Sequence, residues 1–311
     1  FAWFRHRLSG TIEYYNKYSV DLLAAINGSP TQGFGYTTLM TNNGKMVNRG
    51  VEITLSGEII RQKDFSWNAS LLYAFNRNKV KHISVQPSLW DSRISMPTSY
   101  PMVGKPLYGI YAYKWAGLNE NGDPQVYDAE NNVTSGPARD YHALVYCGTT
   151  VPIHNASLTN VLRYKGFEFS AMLILDAGHK LRSSNIPSIN MSNGRITSTA
   201  KGIVDRWTQP GDVTDVPRLL FSNDTENFNT HRTELYRYSD LFVYDASNIR
   251  LSNISLAYRV PAHWCKKISL SGARLQFNVE NVATFAFDSK ANYDLGGKVK
   301  PNYVWGLYLN F

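Results

Sequence analysis

A chain of 311 residues has room for one large or two average domains and a sizeable core. Aromatic residues make up 13% and charged residues only 18%, yet the mean hydropathy is −0.31, and no apolar run approaches the ~18 residues that a membrane helix needs. This excludes a helical membrane protein, and it argues against a coiled coil or a disordered chain; the basic residues behind the net charge of +8 are scattered, with no stripe that reads as a nucleic-acid surface.

Period-two alternation runs from end to end and predicts eight strands. In the first, Leu8, Ile12 and Tyr14 alternate with Ser9, Thr11 and Glu13. In the second, Val51, Ile53 and Leu55 alternate with Glu52, Thr54 and Ser56, and in the third Trp67, Leu71, Tyr73 and Phe75 alternate with Asn68, Ser70 and Asn76. The fourth carries Leu158, Leu162 and Tyr164, and the fifth sets Phe167, Phe169, Leu173 and Leu175 against Glu168, Ser170 and Asp176. The sixth has Ile254, Leu256, Tyr258 and Val260 on one side, with a break in parity between Leu251 and Ile254 that suggests a β-bulge. Leu275, Phe277 and Val279 then oppose Arg274, Gln276 and Glu280. Tyr303, Trp305, Leu307, Leu309 and Phe311 form the apolar face of the last strand. Each strand is near the ~9–11 residues that cross a bilayer at a tilt.

The connections alternate in length. Those near 61–64, 165–166 and 261–267 are short, whereas 19–45, 83–154, 180–244 and 285–300 are long. That is the pattern of an antiparallel transmembrane β-barrel with short periplasmic turns and long extracellular loops. Carboxylates and Arg274 in mid-strand agree, because a dry core would leave them unpaired at several kcal/mol each, whereas a wet lumen keeps them hydrated. Within the long loops, residues 106–128 read as a hairpin turning at Asn121–Gly122, and 197–207 as a short helix ending at Trp207. Asn119, Asn121 and Asp123 read as a turn rather than a calcium loop. Cys147 and Cys265 fall at opposite ends of the strands, which predicts no disulfide between them. The seven histidines show no metal-ligand spacing, and no catalytic, cofactor-binding or metal-binding set emerges. Phe1 opens directly into strand-like sequence with no signal peptide, as in a mature or trimmed chain or a piece of something longer.

Five segments carry a family resemblance: Asn48–Arg49–Gly50–Val51–Glu52–Ile53; Tyr113–Lys114–Trp115–Ala116–Gly117–Leu118 with Gly122–Asp123–Pro124; Arg206–Trp207 with Pro210–Gly211–Asp212 and Pro217; Ala246 through Asn253; and the terminal strand ending in Phe311. In this order, over nearly the whole chain, they resemble the C-terminal part of a SusC/RagA-type TonB-dependent outer-membrane transporter. The resemblance implies a barrel of about 22 strands around an N-terminal plug, of which residues 1–311 supply about eight strands. Plug and earlier strands are expected on the remainder of the barrel, so the chain reads as a fragment or one half of a split transporter. It also implies a SusD-like surface lipoprotein as lid, coupling to the TonB complex through the plug, and import of glycan oligosaccharides, with oligopeptide import as the alternative. A self-contained small barrel with a structural or adhesive role is a further alternative. The expected place is the cell outer membrane, with loops extracellular, the C-terminus periplasmic, and no nucleic-acid partner, cofactor or enzymatic activity.

Side-chain roles follow from the alternation and the loops. Trp305, Leu307, Leu309 and Phe311 are expected to face lipid, and Glu52, Glu168, Asp176, Arg274 and Glu280 to face the lumen. Tyr108, Tyr111, Tyr113 and Trp115 offer rings for a ligand or a lid protein.

Overall fold

The computed structural model describes residues 1–27, 31, 38–85, 92–136, 140–191, 200–221, 230–296 and 300–311. All eight expected strands form: β1 (Leu8–Asn27), β2 (Thr38–Arg61), β3 (Phe65–His82), β4 (His154–Tyr164), β5 (Phe167–Ala177), β6 (Asn248–Arg259), β7 (Gly272–Ala286) and β8 (Asn302–Asn310). They pair in chain order as an antiparallel meander, with the short piece Ala2–Trp3 added beside β1. The order is linear, so the described sheet has two open edges and does not close on itself. That overturns the small self-contained barrel.

The first three strands run for 20, 24 and 18 residues, well past the expected length. Much of the expected loop over 19–45 is therefore strand. Alternation marks only the stretch of a strand with one oily face. Beyond it Asn42, Asn43 and Lys45 sit in β2 without apolar residues alternating between them, although Asn42 pairs with Leu23 of β1, and a ladder of backbone bonds alone leaves no period-two signal there.

Register gathers the alternating side chains into rows. Ile12, Ile53, Tyr73, Ala156, Leu175, Ile249 and Phe285 lie side by side across seven strands. A second row on the same face joins Trp67, Leu162, Phe169, Leu256, Phe277 and Trp305. Toward the short turns this face ends in an aromatic row of Phe65, Tyr164, Phe167 and Tyr258. Toward the long loops it ends at Tyr14, Val51, Phe75 and His154. Phe65 and Phe75 are ten residues apart along β3, about 33 Å at ~3.3 Å each. At a tilt near 40° that is ~25 Å of height, the height of the apolar band of an outer-membrane barrel.

Two local features keep these rows in register. Gly50 lies opposite Tyr15, whose ring covers it so closely that a Cβ at position 50 would collide with the phenol; an aromatic laid over a strand glycine restores the packing that the missing side chain forgoes. Pairing on both sides of β6 shifts between Leu251 and Asn253, which makes Ser252 the extra residue of a bulge. The expected parity break is thus a bulge. It returns Ile254 and Leu256 to the apolar face.

The two longest connections, 83–153 and 178–247, fold together above the sheet. Gly109–Tyr113 pairs with Leu144–Thr149, and Trp115–Leu118 with Pro124–Tyr127. Only the second half of the expected 106–128 hairpin is therefore a hairpin. In the second loop Lys180–Arg182 pairs with Val243–Asp245, and a helix spans Thr230–Arg237. The expected helix over 197–207 is a 3-10 turn at Lys201–Asp205; residues 197–199 lie outside the described residues.

Candidate functional site

The face opposite the apolar rows is polar and charged. Glu168 of β5 accepts from Arg163 of β4 at 2.7 Å and from Arg274 of β7 at 3.2 Å. Asp176 of β5 accepts from Arg250 of β6 at 2.9 Å. Glu52 stands across from Glu13, and Glu280 across from Asn253 and Asn302. Asn78 donates to Asn48 at 2.7 Å, and the Ser56 and Ser70 hydroxyls are 3.2 Å apart. All five carboxylate and arginine positions singled out in the sequence thus share one face. Trp305, Leu307 and Leu309 share the other, with Trp305 78% exposed. Phe311 follows β8 and is also exposed.

Above the sheet the loop body has its own core. Tyr111 and Tyr113 are fully buried in it with Val126, Ala143, Leu144 and Leu235, and Ile94, Met102, Trp115 and Tyr146 pack around them. Burial raises the Tyr111 and Tyr146 phenols above their usual value. Every residue of Gly109–Tyr113 is buried, so both faces of this loop strand are covered. Read from the sequence as rings for a ligand or a lid protein, Tyr111 and Tyr113 are instead core residues with no free face in this arrangement. Trp115 is an anchor between loops: its backbone N–H donates to Asp240 and its indole N–H to Asp215, both at 2.9 Å. Tyr108, 50% exposed, is the one of the four rings open to a visitor.

Of the residues that fuse the loops, Gly122, Asp123 and Trp207 lie in segments that carry the family resemblance, whereas Arg182, Arg218, Arg232 and Asp294 belong to no motif in the sequence. Arg182 donates to the backbone carbonyls of Tyr111 at 2.6 Å and of Arg237 and Ser239 at 3.2 Å. Asp123 accepts from Arg218 at 2.8 and 3.0 Å and from Arg232 at 3.0 Å. Arg232 is buried and also donates to the Arg218 and Ile189 carbonyls and to Asn190; burial lowers its pKa, opposed by the Asp123 carboxylate. Trp207 lies over Gly122, whose φ of +73° suits glycine and whose missing Cβ leaves room for the indole. Asn119 accepts from the N–H groups of Asn121 and Asp123, so this asparagine-rich stretch is a side-chain-capped turn. Asp294, from the β7–β8 connection, accepts from Ser183 and Ser184 and joins a third loop to the body. Burial pushes the Cys147 thiol up to about 11. Cys265 sits in the helix Ala262–Lys266, at the other end of the sheet.

A cleft of about 620 Å³ opens where β2 and β3 meet the loop body, between Arg49, Arg77 and Lys79 on the strands and Lys105, Tyr146 and Val151 on the loop.

Comparison with known proteins accounts for this arrangement. The model of the family described as TonB dependent receptor-like, beta-barrel, matches residues 1–282. TonB-dependent receptor P3 of Formosa agariphila is 25% identical over 98% of this chain and 31% of its own length. TonB-dependent receptor SusC of Bacteroides thetaiotaomicron is 23% identical over 90% of this chain and 27% of its own length. The solved structure of the RagAB peptide transporter superposes with a TM-score of 0.74 at 22% identity, covering 100% of this chain and 34% of that one, which shows a shared fold. The chain therefore spans about a third of the length of the relatives it matches. With the family model covering most of its length and its strands forming one antiparallel wall, this chain belongs to the β-barrel family of the TonB-dependent receptors of the outer membrane.

Proposed function

We propose that this chain forms part of the wall of a TonB-dependent importer, contributing about eight strands and the loops above them. Its apolar rows, with Trp305, Leu307, Leu309 and Phe311, face lipid. Its polar face, with Glu52, Glu168, Asp176, Arg274 and Glu280, borders the aqueous lumen. The observation that carries this reading is the separation of oily and wet rows across seven strands, over a height of ~25 Å. The long loops then stand outside the cell and the C-terminus in the periplasm. An open sheet edge is not tolerated in hydrocarbon, so the remaining strands and the plug come from the rest of the barrel. A SusD-like lipoprotein lies over the loop body, and the TonB complex acts through the plug.

Glycan oligosaccharides are the cargo we favour. The exposed Tyr108 ring and the amide and carboxylate groups of Asn119, Glu120 and Asn121 suit a polyhydroxylated ligand. Oligopeptides are the second reading, favoured by the fold shared with a peptide transporter. Cysteine scanning of the complete protein in intact outer membranes tests the wall: a water-soluble maleimide labels Glu280→Cys and spares Leu307→Cys, and the reverse pattern overturns the assignment of faces. Uptake of labelled oligosaccharides and peptides, by cells with and without the gene, separates the two cargoes.

A further inference from the structure

The cleft between strands and loop body has an unusual charge. Arg49, Arg77, Lys79, Lys81 and Lys105 all line it, and no carboxylate does. Among the described residues none of the five cations is ion-paired; Arg49 donates only to the Asn16 side-chain oxygen, and Lys105 lies over the Tyr146 ring at 4.8 Å. Elsewhere the same sheet pairs Arg163, Arg250 and Arg274 with carboxylates.

Position then decides what such a cleft can meet. Along β3, Arg77 follows Phe75 on the apolar face, and Arg49 is its partner on β2; Val47 and Lys79 pair in the next row. These cations therefore continue the oily face and not the polar one. Two residues along a tilted strand add ~5 Å of height. Arg49 and Arg77 stand ~5 Å above the last apolar row and Lys79 ~10 Å above it, the depth of the lipid headgroups that flank a hydrocarbon core. Here β3 has also lost β4 as a neighbour, since β4 starts opposite Phe75. The loop takes its place: Val80 donates to the Lys105 carbonyl at 2.9 Å and accepts from Gly104 at 2.8 Å. The loop wall turns a flat basic strip into a pocket.

We propose that this cleft binds the phosphorylated headgroup of an anionic lipid in the outer leaflet, seated between Arg49, Arg77 and Lys79 on one side and Lys105 on the other. The proposal rests on the apolar rows facing lipid. A cargo anion is disfavoured by the same register, because the strand cations Arg49, Arg77 and Lys79 lie on the face opposite the polar rows, although Asn76 and Asn78 of the polar face also border the cleft. Bound there, a lipid phosphate neutralises clustered positive charge and ties the loop segment 104–106 to the strand ends.

The test uses the complete transporter in phosphatidylcholine nanodiscs doped with phosphatidic acid, a phosphomonoester lipid, with lipid retention read by native mass spectrometry after detergent exchange. The wild type retains phosphatidic acid over phosphatidylcholine. Arg49→Gln/Arg77→Gln/Lys79→Gln loses on the order of a hundredfold in retention, since each basic group near a membrane surface is worth about fivefold. Arg77→Lys with Lys79→Arg keeps it, which separates lost charge from lost folding. Equal retention by the triple variant overturns the proposal, as does displacement of the lipid by inorganic phosphate, which marks a plain anion site. A bilayer-soluble quencher acting on a fluorophore at Leu256→Cys reports on the apolar face independently: without quenching the underlying reading fails, whereas quenching without lipid retention sinks only this inference.

Discussion

Asp123 and Gly122 sit together in a turn, and each holds a partner more than eighty positions away. Removing the carboxylate with Asp123→Ala leaves Arg232 buried with its charge uncompensated. Loss of one member of such a pair costs ~3 kcal/mol or more, so limited proteolysis of the complete protein should open the loop body while the strands stay resistant. Gly122→Ala forces a Cβ into the Trp207 indole at a positive φ. Trp207→Ala relieves the collision but not the backbone strain, so the double variant should be less destabilised than the two single effects added together, measured by loop protection. His179 predicts a pH dependence. Its Nδ1 has no hydrogen-bond partner among the described residues, and burial lowers its pKa from the usual 6.5, against the pull of Asp176 and Asp245. An opened loop takes up the proton near 6.5 while the packed form resists it. Stability of the loop base is therefore full above that pH and falls as the pH drops below it. His179→Gln should flatten the slope, read as protease susceptibility between pH 7 and the acid side.

At the scale of elements, the bulge at Ser252 makes an unusual prediction. Deleting Ser252 restores plain alternation through Leu251, Asn253 and Ile254 with every side chain on its present face. Deleting Ser170, in the unbulged β5, instead turns one flank of that strand inside out. The first deletion should leave heat-modifiable mobility of the full barrel intact, and the second should abolish it. This contrast also marks how far the sequence could be read. Strands with one oily and one wet face were legible because Ile53 and Glu52, or Leu275 and Arg274, declare opposite solvents. Strand ends were not, because Asn42, Asn43 and Lys45 are equally at home in a ladder or a loop. Tyr111 and Tyr113 were legible as strand residues but not as core. What covers them comes from Leu144 and Leu235, and no local pattern announces a partner so distant. The turn at Asn119 and the bulge in β6 were legible because both follow from local backbone chemistry.

At the scale of the molecule, the sheet shows two open edges, at β1 with Ala2–Trp3 and at β8. Unpaired strand backbone is an adhesive in water and untenable in hydrocarbon. A preparation of residues 1–311 alone is therefore expected to aggregate on refolding, and to gain heat-modifiable mobility only when the remaining strands are supplied. A monodisperse barrel from this chain alone would contradict the proposed architecture. The three carbonyls held by Arg182 have a consequence of another kind. Because one guanidinium staples Tyr111 of one loop to Arg237 and Ser239 of another, neither can drift in sequence length near that staple without breaking the other's anchorage. Diversification at the mouth of such a pore then has to arise in compensating pairs, or at the outlying tips that the staple does not reach.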